Sequence, residues 1–269
     1  MSGLFFVEGW ACRGFMPQSR HSPYGSIHFK KNGMSIWVRI GEFVSRAPGQ
    51  ALSSMVDALR TAFRGNPELR RRVAFSIAMI ALSAKMAKAD GIVTADEVRA
   101  FTEIFAIPQS ESRNVARLYN LAKQDVAGFE SYAERMADLC GSGRPNCAML
   151  EDILDGLFHI AKADGLVHER EVTFLRRVAE IFAIDGQHFE QILSRHAILG
   201  ETDPYIVLGV ERTAGFDEIR RRYHRLVAEN HPDRLIARGV PEEFVTIANS
   251  RIAAINTAYE QIERIRRRA

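Results

Sequence analysis

The chain has 269 residues, which is enough for one large domain or two smaller ones. Hydrophobic residues make up 46% and charged residues 26%, the ordinary balance of a soluble globular protein, and a net charge of +3 excludes a chain that binds polyanions along its whole surface. Strand signals are few, whereas Ala, Leu, Ile, Arg and Glu recur at helical spacing, so a nearly all-α fold is predicted. The longest apolar run, at 73–84, is too short to cross a bilayer and predicts a buried core helix.

Residues 1–33 lack both helical periodicity and a secretory signal. We therefore predict a disordered leader, and Met34 is a candidate for the true start of the protein. The sparse, odd set of cysteines, Cys12, Cys140 and Cys147, argues against a disulfide scaffold. It predicts free thiols in a reducing compartment, the cytoplasm.

Residues 34–65 carry an amphipathic helical pattern in which Trp37 and Ile40 belong to the apolar stripe. We expect this stripe to pack on the domain that follows. An alternative is contact with a membrane surface, for which the suitable interface residues are Trp37, Arg39 and Arg46.

An internal repeat fills residues 66–197, which we call the repeat domain. The stretch "AKADGIVTADEVRAFTEIFAI" (87–107) matches "AKADGLVHEREVTFLRRVAEIFAI" (161–184). Each copy predicts a helix, a tight Asp-Gly turn and a second helix, because Gly accepts the left-handed conformation that ends helices. The predicted helices are 68–89, 95–106, 111–123, 127–140, 148–163, 169–182 and 186–196.

Each copy of the repeat carries two acidic residues at the same spacing, Asp90 with Glu97 and Asp164 with Glu171. A calcium-binding loop is excluded, because both copies have lysine where such a loop needs its second ligand. Two interpretations remain open. The four acids converge on one divalent metal ion, or they stabilise helix N-termini through the helix dipole.

Residues 203–269 predict a separate small helical unit, the C-terminal module. An Asp-Pro pair gives it a strong helix start. The segments "DEIRRRYHRLVAEN" (217–230) and "PEEFVTIANSRIAAINTAYEQIERI" (241–265) both carry apolar stripes at helical spacing. They are predicted to pair antiparallel through a loop at 231–240.

His231, Pro232 and Asp233 begin that loop, and we call these three residues the tip. Proline disfavours helical geometry in the residue before it, so the helix should end at His231 and Asp233 should sit at a rigid, exposed corner. A carboxylate beside an arginine-bearing helix favours recognition of a charged protein partner. One His and one Asp are too few for a zinc site, and the flanking sequence supplies no hydrolytic nucleophile, so no catalytic residue is predicted.

The C-terminal module resembles the J domain of DnaJ-type co-chaperones in the stretches "DPYIVLGV", "IRRRYHRLVAENHPDR" and "INTAYEQI". The repeat domain resembles the tellurite-resistance TerB-like helical domain through its twin "KADG" turns, each followed by an acid at the same distance. Some TerB-like proteins are associated with metal ions through these acids. Together, over residues 35–269, the two units look like DjlA-type DnaJ-like proteins.

The resemblance implies a role rather than a reaction, because J domains dock on ATP-bound Hsp70 (DnaK in bacteria) and stimulate its ATP hydrolysis. By that likeness the tip carries the trigger and Tyr223 helps to fix the contact face. Electrostatic steering would come from a set of exposed basic residues, which we call the basic set: Arg220, Arg221, His224, Arg225 and Arg234.

DjlA-type proteins usually carry an N-terminal membrane span, and this sequence shows none. We therefore expect a non-enzymatic co-chaperone that partners Hsp70 in the cytoplasm, with peripheral contact at the inner membrane as an alternative. No cofactor is expected apart from the divalent metal considered above. A second interpretation is a metal-binding or stress-sensing TerB-like protein with an accessory J domain. Nucleic acid is not an expected partner, since aromatic residues are not interleaved with the arginines.

Overall fold

Helices and short connecting turns make up the part of the chain that the structure describes. The computed structural model describes residues 36–46, 65–90, 101–102, 105, 107–124, 128–138, 145–165, 167–196 and 203–268. Its α-helices are α1 Ile36–Arg46, α2 Pro67–Asp90, α3 Ser112–Gln124, α4 Phe129–Ala137, α5 Ala148–Ala161, α6 Glu169–Ile181, α7 Gly186–His196, α8 Pro204–Leu208, α9 Phe216–Glu229, α10 Pro232–Arg238 and α11 Val245–Arg268. No strand occurs within those ranges, so the predicted all-α fold is confirmed.

Helix α2 lies at the centre of the repeat domain. Every residue from 73 to 87 is buried, and the helix contacts α1, α3, α4, α5 and α6. The apolar run at 73–84 is thus a core helix, as predicted. Among the described residues, no helix is both long and apolar enough to span a bilayer.

The second copy of the repeat has the predicted helix, turn and helix. Helix α5 runs into a 3₁₀ turn at Lys162–Asp164, and Gly165 follows with a φ of 106°. That left-handed conformation strains a residue with a Cβ, which explains the glycine of the "KADG" turn. In the first copy α2 ends at Asp90, and residues 91–100 lie outside the described part of the chain.

Helix α1 packs on the repeat domain, as its apolar stripe predicts. Trp37 is only 1% exposed, and its Nε1 donates a hydrogen bond to the carbonyl of Phe105 at 2.9 Å. The two rings also meet edge to face. Burial excludes Trp37 as a membrane contact, whereas membrane contact by the rest of segment 34–65 stays a prediction. Residues 1–35 are not described, and the leader and the start at Met34 stay predictions.

Cys147 is disulfide-bonded, so the predicted free thiol at this position is wrong. The partner cysteine lies outside the described residues. The number of cysteines indicates a reducing compartment, but it does not determine whether the fold brings two thiols within bonding distance.

The described hydrophobic residues form two clusters, and these do not divide at residue 203. One cluster, formed by α8, α9 and the part of α11 from Ile255 onward, which we call its second half, is the core of the C-terminal module: Tyr205, Val207, Leu208, Ala214, Ile219, Leu226, Ile255, Ala258 and Ile262. The other is the core of the repeat domain, and it also takes in five residues of the C-terminal module: Leu235, Val240, Phe244, Ile247 and Ala248. The two units therefore share a core across α10 and the start of α11, whereas the sequence predicts a separate module.

Candidate functional site

The tip lies on the surface, at the start of a short helix. The side chains of His231 and Asp233 are 52% and 80% exposed. His231 is the N-cap of α10 with extended backbone (φ −61°, ψ 136°), and Pro232 is the first helical residue, where its missing N–H costs nothing. The predicted break at His231 is confirmed, but the predicted loop at 231–240 is wrong, because it contains α10.

The cap fixes the orientation of the imidazole. His231 Nδ1 accepts a hydrogen bond from the backbone N–H of Asp233 at 3.3 Å. A ring nitrogen that accepts carries no proton, so in this arrangement Nε2 carries the hydrogen and can donate it outward. The Asp233 carboxylate lies 3.6 Å from Nδ1, so the acid and the imidazole ring lie side by side on the surface.

The basic set lies on α9, which precedes the tip, and on α10, which begins at the tip. All of its members are exposed: Arg220, Arg221, His224, Arg225 and Arg234. Within α9, Arg222 differs from them, because it is half-buried and its Nε donates to the carbonyl of Leu208 at 3.0 Å. Burial lowers the pKa of Arg222. The exposed residues are thus free to meet a partner, and Arg222 ties α9 to α8.

Tyr223 belongs to the apolar stripe of α9 and packs against α11. Its hydroxyl donates to Asn256 Oδ1 at 3.1 Å, and its ring stacks on Tyr259 at 4.2 Å between centroids. Both partners lie on α11. Tyr223 therefore holds α9 against α11 and so supports the basic set from behind.

A buried cluster of charges lies directly beneath the tip. Asp152 and Asp155 project from α5 of the repeat domain, and Arg251 projects from α11 of the C-terminal module. Arg251 Nη1 donates to Asp152 and Nε donates to Asp155, both at 2.9 Å. Each of the three side chains is 2% exposed. One guanidinium thus joins the two units through two carboxylates.

The two carboxylates respond differently to the same burial. Burial raises the pKa of Asp152 above its ordinary value, and Arg251 and Arg238 offset this only in part. Burial also acts to raise the pKa of Asp155, but Arg251, His196 and Arg195 outweigh it and hold that pKa below its ordinary value. Asp155 is therefore the more firmly ionised member of the pair.

The same cluster contacts both ends of α10, which we call the tip helix because it begins at the tip. Asn230, the residue before His231, is 8% exposed and accepts from Arg251 Nη1 at 2.7 Å. At the other end of α10, Arg238 Nη2 donates to Asp152 Oδ1 at 3.3 Å and lies 3.1 Å from Oδ2. This cluster is not predicted from the sequence, although Arg251 interrupts an apolar stripe and so gives a signal.

The predicted metal ligands are described only in part. Glu171 is 3% exposed, and its carboxylate accepts the backbone N–H of His168 at 2.9 Å, which caps α6. Glu97 and the side chains of Asp90 and Asp164 lie outside the described residues. Within the described part, no three His, Cys, Asp or Glu residues are grouped as a metal site would require. The metal site stays a prediction.

Comparison with known families finds one match in the repeat domain and another in the C-terminal module. The family of tellurite resistance protein TerB matches residues 76–194, and the DnaJ domain matches residues 203–269. The chain is thus a J-domain protein with a TerB domain before the J domain. No solved structure matches it.

Curated relatives narrow the class. The co-chaperone protein DjlA of Coxiella burnetii is 31% identical over 67% of this chain and 73% of its own length. The DjlA proteins of Photobacterium profundum and Photorhabdus laumondii are 28% and 25% identical over 75% and 89% of this chain, and over 80% and 95% of their own lengths. The chain belongs to the DjlA co-chaperone family.

Proposed function

We propose that this protein docks on Hsp70, the bacterial DnaK, through the tip and the basic set, and stimulates its ATP hydrolysis. The observation that carries the proposal is the exposed tip, held rigid at the N-terminus of α10. Proline at the first helical position and the bond from Asp233 N–H to His231 fix its shape before any partner arrives. A preformed contact binds without the cost of ordering a loop.

The charges around the tip suit a partner with an acidic surface and a cation that can pair with Asp233. Five exposed basic side chains speed encounter with an acidic surface, and they need not be buried to do so. The exposed carboxylate of Asp233 then offers a charge-assisted hydrogen bond at the point of contact. Steering and triggering are thus assigned to different residues.

The test is the steady-state ATPase rate of purified DnaK with increasing amounts of this protein. The wild-type chain should raise the rate, and His231→Gln should abolish the increase, because the amide side chain does not reproduce the ring geometry that caps α10. His188→Gln is the matched control, since His188 lies on α7 of the repeat domain and pairs with Glu151. An unchanged DnaK rate with the wild-type chain would rule out the proposal.

A further inference from the structure

Asp152 belongs to the repeat domain, yet its carboxylate holds both ends of the tip helix. At the N-terminal end, Arg251 Nη1 bonds Asp152 Oδ1 at 2.9 Å and Asn230 Oδ1 at 2.7 Å, and Asn230 is covalently joined to His231. At the C-terminal end, Arg238 Nη2 lies 3.1 Å from Asp152 Oδ2. Segment 230–238 is therefore clamped at two points by one side chain of α5.

Independent contacts hold the same segment against the repeat domain. Leu235 of α10 is 1% exposed and belongs to the hydrophobic cluster of the repeat domain. Gly239 ends α10 with a φ of 99°, and a Cβ at this position would meet the Cβ of Arg71 on α2 at 2.8 Å. The tip helix thus lies directly on the repeat domain.

We propose that Asp152 is a positioning residue for Hsp70 activation, which makes the TerB domain part of the activating unit. Through Arg251, Asn230 and Arg238 it fixes the direction in which the tip leaves the protein surface. This inference rests on the proposed function. It adds that orientation by the repeat domain is required as well as the presence of the tip.

Two features of the chemistry favour positioning over simple stabilisation. Removing one partner of a buried ion pair is usually strongly destabilising, but Arg251 keeps its bond to Asp155 at 2.9 Å when the charge of Asp152 is lost, so the guanidinium is not left unpaired. Burial raises the pKa of Asp152, which means that removing its charge relieves part of an existing cost. Loss of this carboxylate should therefore disturb the geometry of the tip more than the stability of the fold.

Asp155 provides a matched control on the same helix. It is as buried as Asp152 and it bonds the same guanidinium, but its other neighbours are Arg195 and His196 and not the tip helix. Its pKa is held below the ordinary value, so removal of its charge should destabilise the fold more. Asp155→Asn is therefore expected to lower the stability more than Asp152→Asn does. Asp152→Asn is expected to reduce the activation of Hsp70 more than Asp155→Asn does.

The experiment measures three properties of both variants in the full chain. These are the unfolding free energy in urea, the concentration that gives half-maximal stimulation of DnaK, and hydrogen exchange of the amides at 233–238. Asp152→Asn should raise the half-maximal concentration by about fivefold or more, the lower range of typical coupling between sites. It should also speed exchange at 233–238, whereas Asp155→Asn should lose more stability and less stimulation.

If stimulation falls in proportion to stability in both variants, Asp152 is structural only and the inference is wrong. Unchanged exchange at 233–238 in Asp152→Asn would overturn it as well. The exchange measurement does not involve DnaK. A wild-type chain that fails to stimulate DnaK therefore removes the proposed function, while exchange still decides whether Asp152 orders the tip.

Arg238→Gln is the second variant, in case the aspartate substitutions prevent folding. Arg238 is 28% exposed, so its loss leaves a smaller buried defect, but it removes the clamp at the C-terminal end of α10. Arg264→Gln removes the same charge from an exposed pair with Glu260 on α11 and serves as control. Only Arg238→Gln should raise the half-maximal concentration, and equal effects of the two variants would contradict the inference.

Discussion

The two halves of α11 pack into different cores. Ile247 and Ala248, near its start, belong to the core of the repeat domain, whereas Ile255 and Ile262 belong to the core of the C-terminal module. A single helix is therefore common to both units, and a shift of its first half in the repeat domain is expected to move its second half.

The charges on the two halves differ in the same way. Arg251 in the first half has a side chain 2% exposed and is bound by two carboxylates from the other unit. Arg264 in the second half is 69% exposed and pairs with Glu260 one turn away. An exposed pair of this kind contributes about 0.2–1 kcal/mol, whereas removing one partner of a buried pair costs about 3–5 kcal/mol. The first half of α11 is therefore the junction between the units.

The largest expected effect tests whether the shared core is real. Phe244→Ala should lower the free energy of unfolding by about 4 kcal/mol, because it leaves a cavity in a packed aromatic cluster. The Phe244 ring lies 4.7 Å from that of Phe75 and 4.6 Å from that of Phe105, both in the repeat domain. Urea unfolding followed by far-ultraviolet circular dichroism measures the loss.

Phe216→Ala is the control for that substitution, because Phe216 is 40% exposed on α9. Its removal should lower the unfolding free energy by less than about 1 kcal/mol, as expected when little apolar area leaves a core. Both units should unfold in one transition in the wild-type chain. Two separated transitions, with Phe244→Ala changing neither one, would contradict a core shared by the two units.

The next effect in size tests the junction itself. Arg251→Met should lower the unfolding free energy by about 3 kcal/mol, since it leaves Asp152 and Asp155 buried without their guanidinium. Replacing both aspartates by Asn in the same chain should recover part of the loss, because the uncompensated charges are then gone. Equilibrium unfolding in urea at neutral pH measures both variants. If Arg251→Met lowers the unfolding free energy no more than Arg264→Met does, the first half of α11 is not the junction between the units.

Much of the repeat domain follows from its sequence, because long helices repeat their signal over several turns. The helices predicted at 186–196 and 68–89 are observed at Gly186–His196 and Pro67–Asp90. By contrast, α10 is missed, because seven residues make too few turns for a periodic stripe. Its ends were nevertheless marked by a proline at the first position and by Gly239 after the last.

The exposed tip is accessible to sequence reasoning and the buried cluster is not. Proline acts on its direct neighbour, so the break at His231 is a local property of three residues. Arg251 instead meets Asp155 and Asp152 across separations of 96 and 99 residues. No periodicity links such partners. The only local signal is the charge of Arg251 within an apolar stripe, which indicates that a buried partner exists but does not identify it.

The smallest expected effect concerns a carboxylate that is well bonded but exposed. Asp185 Oδ1 accepts the backbone N–H of His188 at 2.8 Å, and Oδ2 accepts from Asn146 at 3.0 Å. The bond from His188, with that from Asn146, lowers the pKa of Asp185. Asp185→Asn should lower the unfolding free energy by only about 0.5 kcal/mol, because solvent screens the carboxylate at the N-terminus of α7.

The pH dependence of that difference gives the sharper measurement. A carboxyl whose folded-state pKa is lowered contributes stability above its unfolded pKa of about 4, and the contribution is lost as the pH falls through the folded-state value. The gap between wild type and Asp185→Asn should therefore be full at pH 6 and shrink steadily below pH 4, roughly the unfolded value. Urea unfolding of both proteins across this range measures it. A gap that stays constant with pH would mean that the variant acts through packing and not through the charge. The charge of this exposed carboxylate would then make no measurable contribution to stability.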